Sequence, residues 1–232
     1  MRNVIVTGGT RGIGFAIAKR LDQRGWGVFV VNQDPQRGNT ITTTLNNLIG
    51  HHAVDLGLGE SSALEVTAAV RKKLSTIDLL VLNAGIFIEE RLSELNAESF
   101  ERNMQVNLNG NMFLVKHLLP LLRVGTKPRI VIIGSTAAYE PYPLVPTYGV
   151  AKWALRGFAQ NLRRELVPDR IGVTFLSPGG TLTDMWAGED LPPHRLLQPD
   201  DIAILVDALT ELSEQAVIDE LIIRPMLGDI HE

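Results

Sequence analysis

The stretch "NVIVTGGTRGIG" (residues 3–14) decides the fold. Its first half is an apolar, β-branched run of strand length, and its second half puts four glycines into eight positions where a first helix should begin. Glycines placed after a strand and opening a helix have separate uses. One permits the tight turn, another lets backbone N–H groups approach a pyrophosphate, and a third allows close helix–strand packing. Gly8, Gly12 and Gly14 have that spacing, and Thr10, Arg11 and Ile13 lie between them as further candidate contacts for a nucleotide. An ordinary glycine-rich turn is the competing account.

Beyond this stretch, short apolar runs alternate with longer segments of helical spacing. Strands are predicted at 3–7, 27–32, 51–55, 77–83, 128–135, 171–177 and 220–225, and amphipathic helices near 13–24, 60–74, 98–123, 148–166 and 199–213. Several strands are apolar on both faces, as in a parallel sheet covered by helices on either side. The chain therefore reads as a single doubly wound α/β domain of Rossmann type over residues 1–232, with about seven parallel strands. Ligands bind beyond the carboxyl ends of strands in such sheets. Those positions hold Thr7, Gly8, Asn32, Asp55, "NAG" (Asn83, Ala84, Gly85), Ser135 and "PGG" (Pro178, Gly179, Gly180).

Composition narrows the partners. The 232 residues carry 22 basic and 26 acidic side chains, a net charge of −4, which favours neither a nucleic acid nor a membrane surface. Cysteine is absent, excluding disulfides and thiolate chemistry. No apolar stretch approaches the ~18 residues of a membrane span, and no leader pattern precedes the first strand. A cytoplasmic location is expected. The histidines do not form a metal motif: His51 and His52 are adjacent on a strand and point to opposite faces, while His117, His194 and His231 are isolated.

In "TYGVAKWAL", Tyr148 and Lys152 are four residues apart on one face of a helix, and Ser135 closes a strand 13 residues earlier. At this point the sequence resembles the short-chain dehydrogenase/reductase family, through "TGGTRGIG", "NAG", "NLNG", "GSTAAY", "YGVAK" and "SPGGTLTDM" in order. The resemblance implies NAD(P)-dependent hydride transfer to or from a carbonyl or alcohol, with Asn107, Ser135, Tyr148 and Lys152 as a catalytic tetrad. It also implies homodimers or homotetramers. Reducing a carbonyl creates an alkoxide, which needs a proton donor and hydrogen bonds. Poising a phenol that titrates near 10 at neutral pH takes about 4 kcal/mol. One ammonium at an effective dielectric of about 20 supplies that order; Lys152 is the expected source, aided by the positive charge of an oxidised nicotinamide.

For the cofactor, the resemblance adds Tyr148 and Lys152, Asp55 as an adenine contact, and Pro178, Gly179, Thr181 and Thr183 beside the nicotinamide. Asp55 as a helix cap, and Asn107 as a kink or polar helix–helix contact, are the competing accounts. Asn32 stands where NAD-binding members place an acidic residue, and Arg11 can face a 2′-phosphate, so NADP(H) is favoured over NAD(H). Gln33 is not basic and Asp34 is near, which keeps NAD(H) open. A short lid is expected at about 184–198, with Met185, Trp186 and Leu191 as an apolar cover and Tyr139, Tyr142 and Leu144 on the opposite wall. The substrate expected is a small carbonyl or alcohol compound. A non-catalytic dinucleotide sensor and a sugar-nucleotide epimerase or dehydratase are the alternatives.

Overall fold

The computed structural model describes residues 1–186 and 191–229. Strands β1 (Asn3–Thr7), β2 (Gly27–Asn32), β3 (Leu48–Ala53), β4 (Leu79–Leu82), β5 (Arg129–Ile133), β6 (Gly172–Pro178) and β7 (Glu220–Ile223) form one sheet. Its order is β3-β2-β1-β4-β5-β6-β7, and every neighbouring pair is parallel. The direction of winding reverses between β1 and β4, which leaves a crevice at their carboxyl ends.

Alternation within the apolar strands feeds two cores. Ile5, Leu80, Leu82, Ile130, Ile132, Val173 and Phe175 pack under α3 (Glu60–Arg71), α5 (Gly110–Leu122) and α6 (Pro146–Glu165). Val4, Val6, Val28, Val30, Leu79, Val81 and Val131 pack under α1 (Gly12–Gln23) and α7 (Pro199–Glu211). Both faces of the sheet are dry because successive side chains point to opposite sides and both sets are aliphatic. No helix of the described residues is long and apolar enough to cross a membrane.

Three elements depart from the sequence reading. A helix, α2 (Pro35–Ile41), follows β2 where none was expected; its Gly, Asn and Thr content is poor for helices. Its start is nevertheless well specified: Asp34 accepts from the Gln36 N–H at 2.9 Å, and proline occupies the first turn. β3 begins at Leu48 rather than 51, its register shifting by a bulge opposite Val28 and Phe29. The helix expected over 98–123 is divided into α4 (Ala97–Met104), a π-helical turn (Gln105–Asn109) and α5.

Gly14 shows how tightly the first turn is packed against the sheet. A Cβ there would lie 2.3 Å from the Gly8 carbonyl oxygen and 2.5 Å from Asn83 Nδ2, whereas one on Gly157, inside α6, would meet nothing within 4 Å. Gly14→Ala is therefore expected to lower the unfolding free energy in urea by about 1–3 kcal/mol. Gly157→Ala is expected to raise it by about 0.5–1 kcal/mol.

Candidate active site

The crevice is built first by backbone. Thr7 Oγ1, at the end of β1, accepts from the N–H groups of Asn83 and Ala84, both at 2.9 Å, while Asn83 Nδ2 donates to the Thr7 carbonyl at 2.9 Å. These bonds tie β1 to the segment after β4. Gly8 and Gly12 have φ of +65° and +52°, the left-handed region that turns the chain into α1. Arg11 precedes that helix without a side-chain cap, and no acidic residue occupies the first turn, so the positive end of the helix is open to an anion. A Cβ on Gly12 would come within 3.0 Å of Thr183 Cγ2, which places the loop after β6 directly on the glycine turn.

Across the crevice, α6 presents Tyr148 and Lys152. Pro146 occupies its first turn, and both side chains are buried, at 9% and 5% exposure. The Ser135 hydroxyl lies near enough to the Tyr148 phenol to act on it. Ser135 also accepts from the Ala137 N–H at 3.1 Å, which orients its hydroxyl at the end of β5. Burial pushes the Tyr148 phenol above its usual range, and the nearby Ser135 hydroxyl opposes this only in part. Burial pulls Lys152 down to about 8. The Lys152 ammonium lies 5.4 Å from the Tyr148 ring centroid, and burial is the largest influence on the phenol in the free protein.

The π turn re-aims Asn107. Its Nδ2 donates to the Ile86 carbonyl at 3.0 Å and to Asn103 Oδ1 at 2.6 Å, and its Oδ1 accepts from the Ile86 N–H at 3.2 Å. Its own carbonyl accepts from Asn111 Nδ2 at 2.9 Å. The network continues: Asn103 donates to Thr147 Oγ1 at 3.0 Å, and Thr147 donates to the buried Glu90 at 2.7 Å. The kink reading of Asn107 is met by this helix irregularity, and the same turn brings its side chain beside Gly85. A Cβ on Gly85 would be 2.6 Å from Asn107 Oδ1 and 3.6 Å from Lys152 Nζ, so only glycine fits between them.

With this geometry in view, the relatives are informative. The family model described as short chain dehydrogenase matches residues 2–192. An oxidoreductase of Staphylococcus epidermidis is 32% identical over 223 residues, 96% of each chain. The 3-oxoacyl-[acyl-carrier-protein] reductase of Aquifex aeolicus is 29% identical over 87% of each. Among solved structures, an alcohol dehydrogenase of the archaeon Thermococcus sibiricus complexed with 5-hydroxy-NADP superposes with a TM-score of 0.88, at 27% identity over 97% of both chains. The RhlG/NADP complex of Pseudomonas aeruginosa gives 0.89, at 26% identity, over 97% of this chain and 95% of that one.

The chain belongs to the short-chain dehydrogenase family. In this short-chain dehydrogenase the end of β2 holds Asn32, buried, its Nδ2 donating to the Asp34 carbonyl and its Oδ1 without a partner among the described residues. Asp55 caps the turn Leu56–Leu58 through the Gly57 N–H at 2.8 Å and pairs with Arg102 at 2.9 Å. Burial works to raise its carboxyl, and those two partners outweigh it, leaving it below the usual range. Capping is therefore what the structure gives Asp55. Thr10 lies in the glycine turn, Ile13 packs on the α1 core and Ala84 on the other. Pro178 ends β6. Gly179 follows with its N–H on the Ile223 carbonyl at 2.8 Å, and Thr181 donates back to the Gly179 carbonyl at 2.9 Å.

The expected substrate walls need revision. Tyr139 points to the sheet edge, donating to Glu220 at 2.7 Å beneath Arg156, and takes no part in the crevice. Tyr142 packs beside Tyr148 with its hydroxyl on Asp229 and Thr136. Leu144 holds the 89–94 loop by accepting from the Glu90 N–H. Of the expected lid, 187–190 lie outside the described residues; Met185 is exposed, and Trp186 and Leu191 are half-buried. Two residues escaped the sequence reading. Phe87 is exposed with its ring edge-on to Tyr148, centroids 5.1 Å apart. Arg37, in the first turn of α2, comes within 3.4 Å of the same Asp184 that Arg11 binds. His51 lies against α2 and His52 faces Glu65 of α3, on opposite sides of β3 as expected. His117 bonds Glu60 at 2.8 Å, and His231 lies outside the described residues. No group of three His, Cys, Asp or Glu among the described residues is placed to hold a metal ion.

The depressed Lys152 makes a stability prediction. Between pH about 8 and 10.5 the unfolded chain holds a proton that the folded chain has released, so folding gains stability as pH rises through that window. Lys152→Met is expected to be the more stable protein at pH 7, by about 3 kcal/mol in urea titrations. The gap should close toward pH 10.

Proposed function

We propose that the protein is an NADP(H)-dependent carbonyl reductase or alcohol dehydrogenase, with Tyr148 as the general acid/base. The buried Tyr148 phenol, one helical turn from the buried Lys152 and with the half-buried Ser135 hydroxyl near it, carries this reading. The described residues fit a dinucleotide: an uncapped start of α1, an orphaned Asn32 Oδ1, and two arginines near the ends of β1 and β2. When bound, the cofactor supplies or accepts the hydride and, when oxidised, a positive charge.

The chain's own groups do the rest. Ser135 donates to the substrate oxygen and holds it beside Tyr148, whose proton passes to that oxygen as an alkoxide develops. Lys152 lies close enough to stabilise the phenolate left behind. Asn107 keeps residues 84–86 in place and thereby shapes the floor beneath Lys152. Phe87 and Tyr142 give the substrate side an aromatic lining, which suits a small apolar carbonyl compound. Asn32 is neutral, and Asp34 is engaged by the Gln36 N–H and by Arg37 at 3.6 Å, so the end of β2 offers basic rather than acidic groups to the adenosine ribose. The NADP-bound structures of similar proteins support the same choice. Exposed Met112, Val150 and Trp153 on α5 and α6 suit the homodimer or homotetramer.

The test is NADPH and NADH titration followed by a panel of carbonyls read at the nicotinamide absorbance. Tyr148→Phe is expected to lose turnover by at least about a hundredfold while NADPH affinity stays within about twofold. Arg11→Ala is expected to weaken NADPH more than NADH. Turnover retained in Tyr148→Phe contradicts the proton-donor assignment.

A further inference from the structure

Asp184, in the turn Asp184–Trp186 after β6, does not belong to either of the segments that frame the β1–β2 edge of the crevice, yet it reaches both. Its Oδ2 accepts from Arg11 Nη1 at 2.9 Å and from Arg37 Nη1 at 3.4 Å, residues 173 and 147 positions away. Arg37 Nε faces Asp34 Oδ2 at 3.6 Å as well. Two guanidinium groups from different loops thus converge on a single oxygen of one carboxylate. The Arg11 bond, aided by Arg37, holds the Asp184 carboxyl below its usual range against the opposing effect of burial.

We propose that Asp184 is a specificity-determining residue: an internal counter-ion that competes with the cofactor's 2′-phosphate for Arg11 and Arg37 and so moderates the preference for NADP(H). The inference rests on the NADP(H) reading above. A phosphate monoester carries between one and two negative charges at neutral pH and matches the guanidinium fork as a carboxylate does. To engage the two arginines it must displace Asp184 or accept a like charge beside it. Either penalty vanishes when the carboxylate becomes an amide. The pairs are half-exposed or more, so each is weak and salt-sensitive, and the effect is one of tuning.

The experiment measures calorimetric affinities of the full chain for adenosine 2′,5′-bisphosphate and for 5′-AMP, at low and high salt. For Asp184→Asn the bisphosphate is expected to bind about 2- to 10-fold more tightly, with 5′-AMP unchanged within about twofold, and the gain is expected to shrink at high salt. Asp184→Glu should keep the wild-type ratio, and adding Arg37→Ala to Asp184→Asn should remove the gain. An unchanged bisphosphate affinity in Asp184→Asn, or an equal change for both ligands, overturns the counter-ion role. A wild-type protein that binds the bisphosphate no better than 5′-AMP overturns the NADP(H) reading itself, a separate result seen before any variant is made.

Discussion

The structure depends on keeping the carboxyl ends of β1 and β4 joined without closing the crevice between them. Thr7 and Asn83 do this with side-chain-to-backbone bonds that cross the switch in winding direction. A buried hydroxyl accepting two N–H groups leaves little for the backbone to seek elsewhere, so the turn after β1 is free to run as glycine and positive φ demand. Gly14 then lets α1 approach until no side chain fits, and the open helix start faces the crevice. Asn107, through Ile86, and Thr183, over Gly12, extend the same frame to α5 and to the loop after β6.

Within the frame, the chemical groups are held at an electrostatic cost. Both Tyr148 and Lys152 are buried, and burial drives each toward its neutral form, the phenol upward and the ammonium downward. Lys152, aided by the positive charge of an oxidised nicotinamide, was expected to acidify the tyrosine. A charge in a uniform medium carries no desolvation of its target, which is the largest effect on Tyr148 in the free protein. Under the proposed function, the site holds a neutral, protonated phenol near the Ser135 hydroxyl, with Lys152 on the same helix face to compensate the phenolate once a substrate oxygen takes the proton. Burial of this kind is the usual reason that stability and activity conflict at such sites.

How much was legible in the sequence follows from how local each signal is. The glycine turn, the succession of strands and the Tyr148–Lys152 pair are written in short-range spacing; the parallel sheet confirms the strands, and α6 carries both side chains of the pair. α2 was missed, a short seven-residue helix of weak helix formers whose start is marked only by the Asp34 cap and Pro35. The break in the long helix was foreshadowed by the asparagines of "QVNLNGN", although not its π geometry. Arg37 and Phe87 had no local signature: each matters only because a distant segment brings Asp184 or Tyr148 beside it. Tyr139 erred in the opposite direction, since nothing near it in sequence announces Glu220 as its partner, 81 residues away.

The most direct test is the titration of Tyr148 itself. The chain has three tyrosines, so carbon-13 labelling at the ring Cζ gives three resolvable resonances, assigned by Tyr→Phe substitution. The account predicts that Tyr148 stays protonated past its ordinary value near 10 in the free protein, as burial dictates, and titrates markedly lower when NADP+ is added. A Tyr148 resonance whose titration is unmoved by NADP+, or one that is already ionised at neutral pH in the free protein, would contradict it.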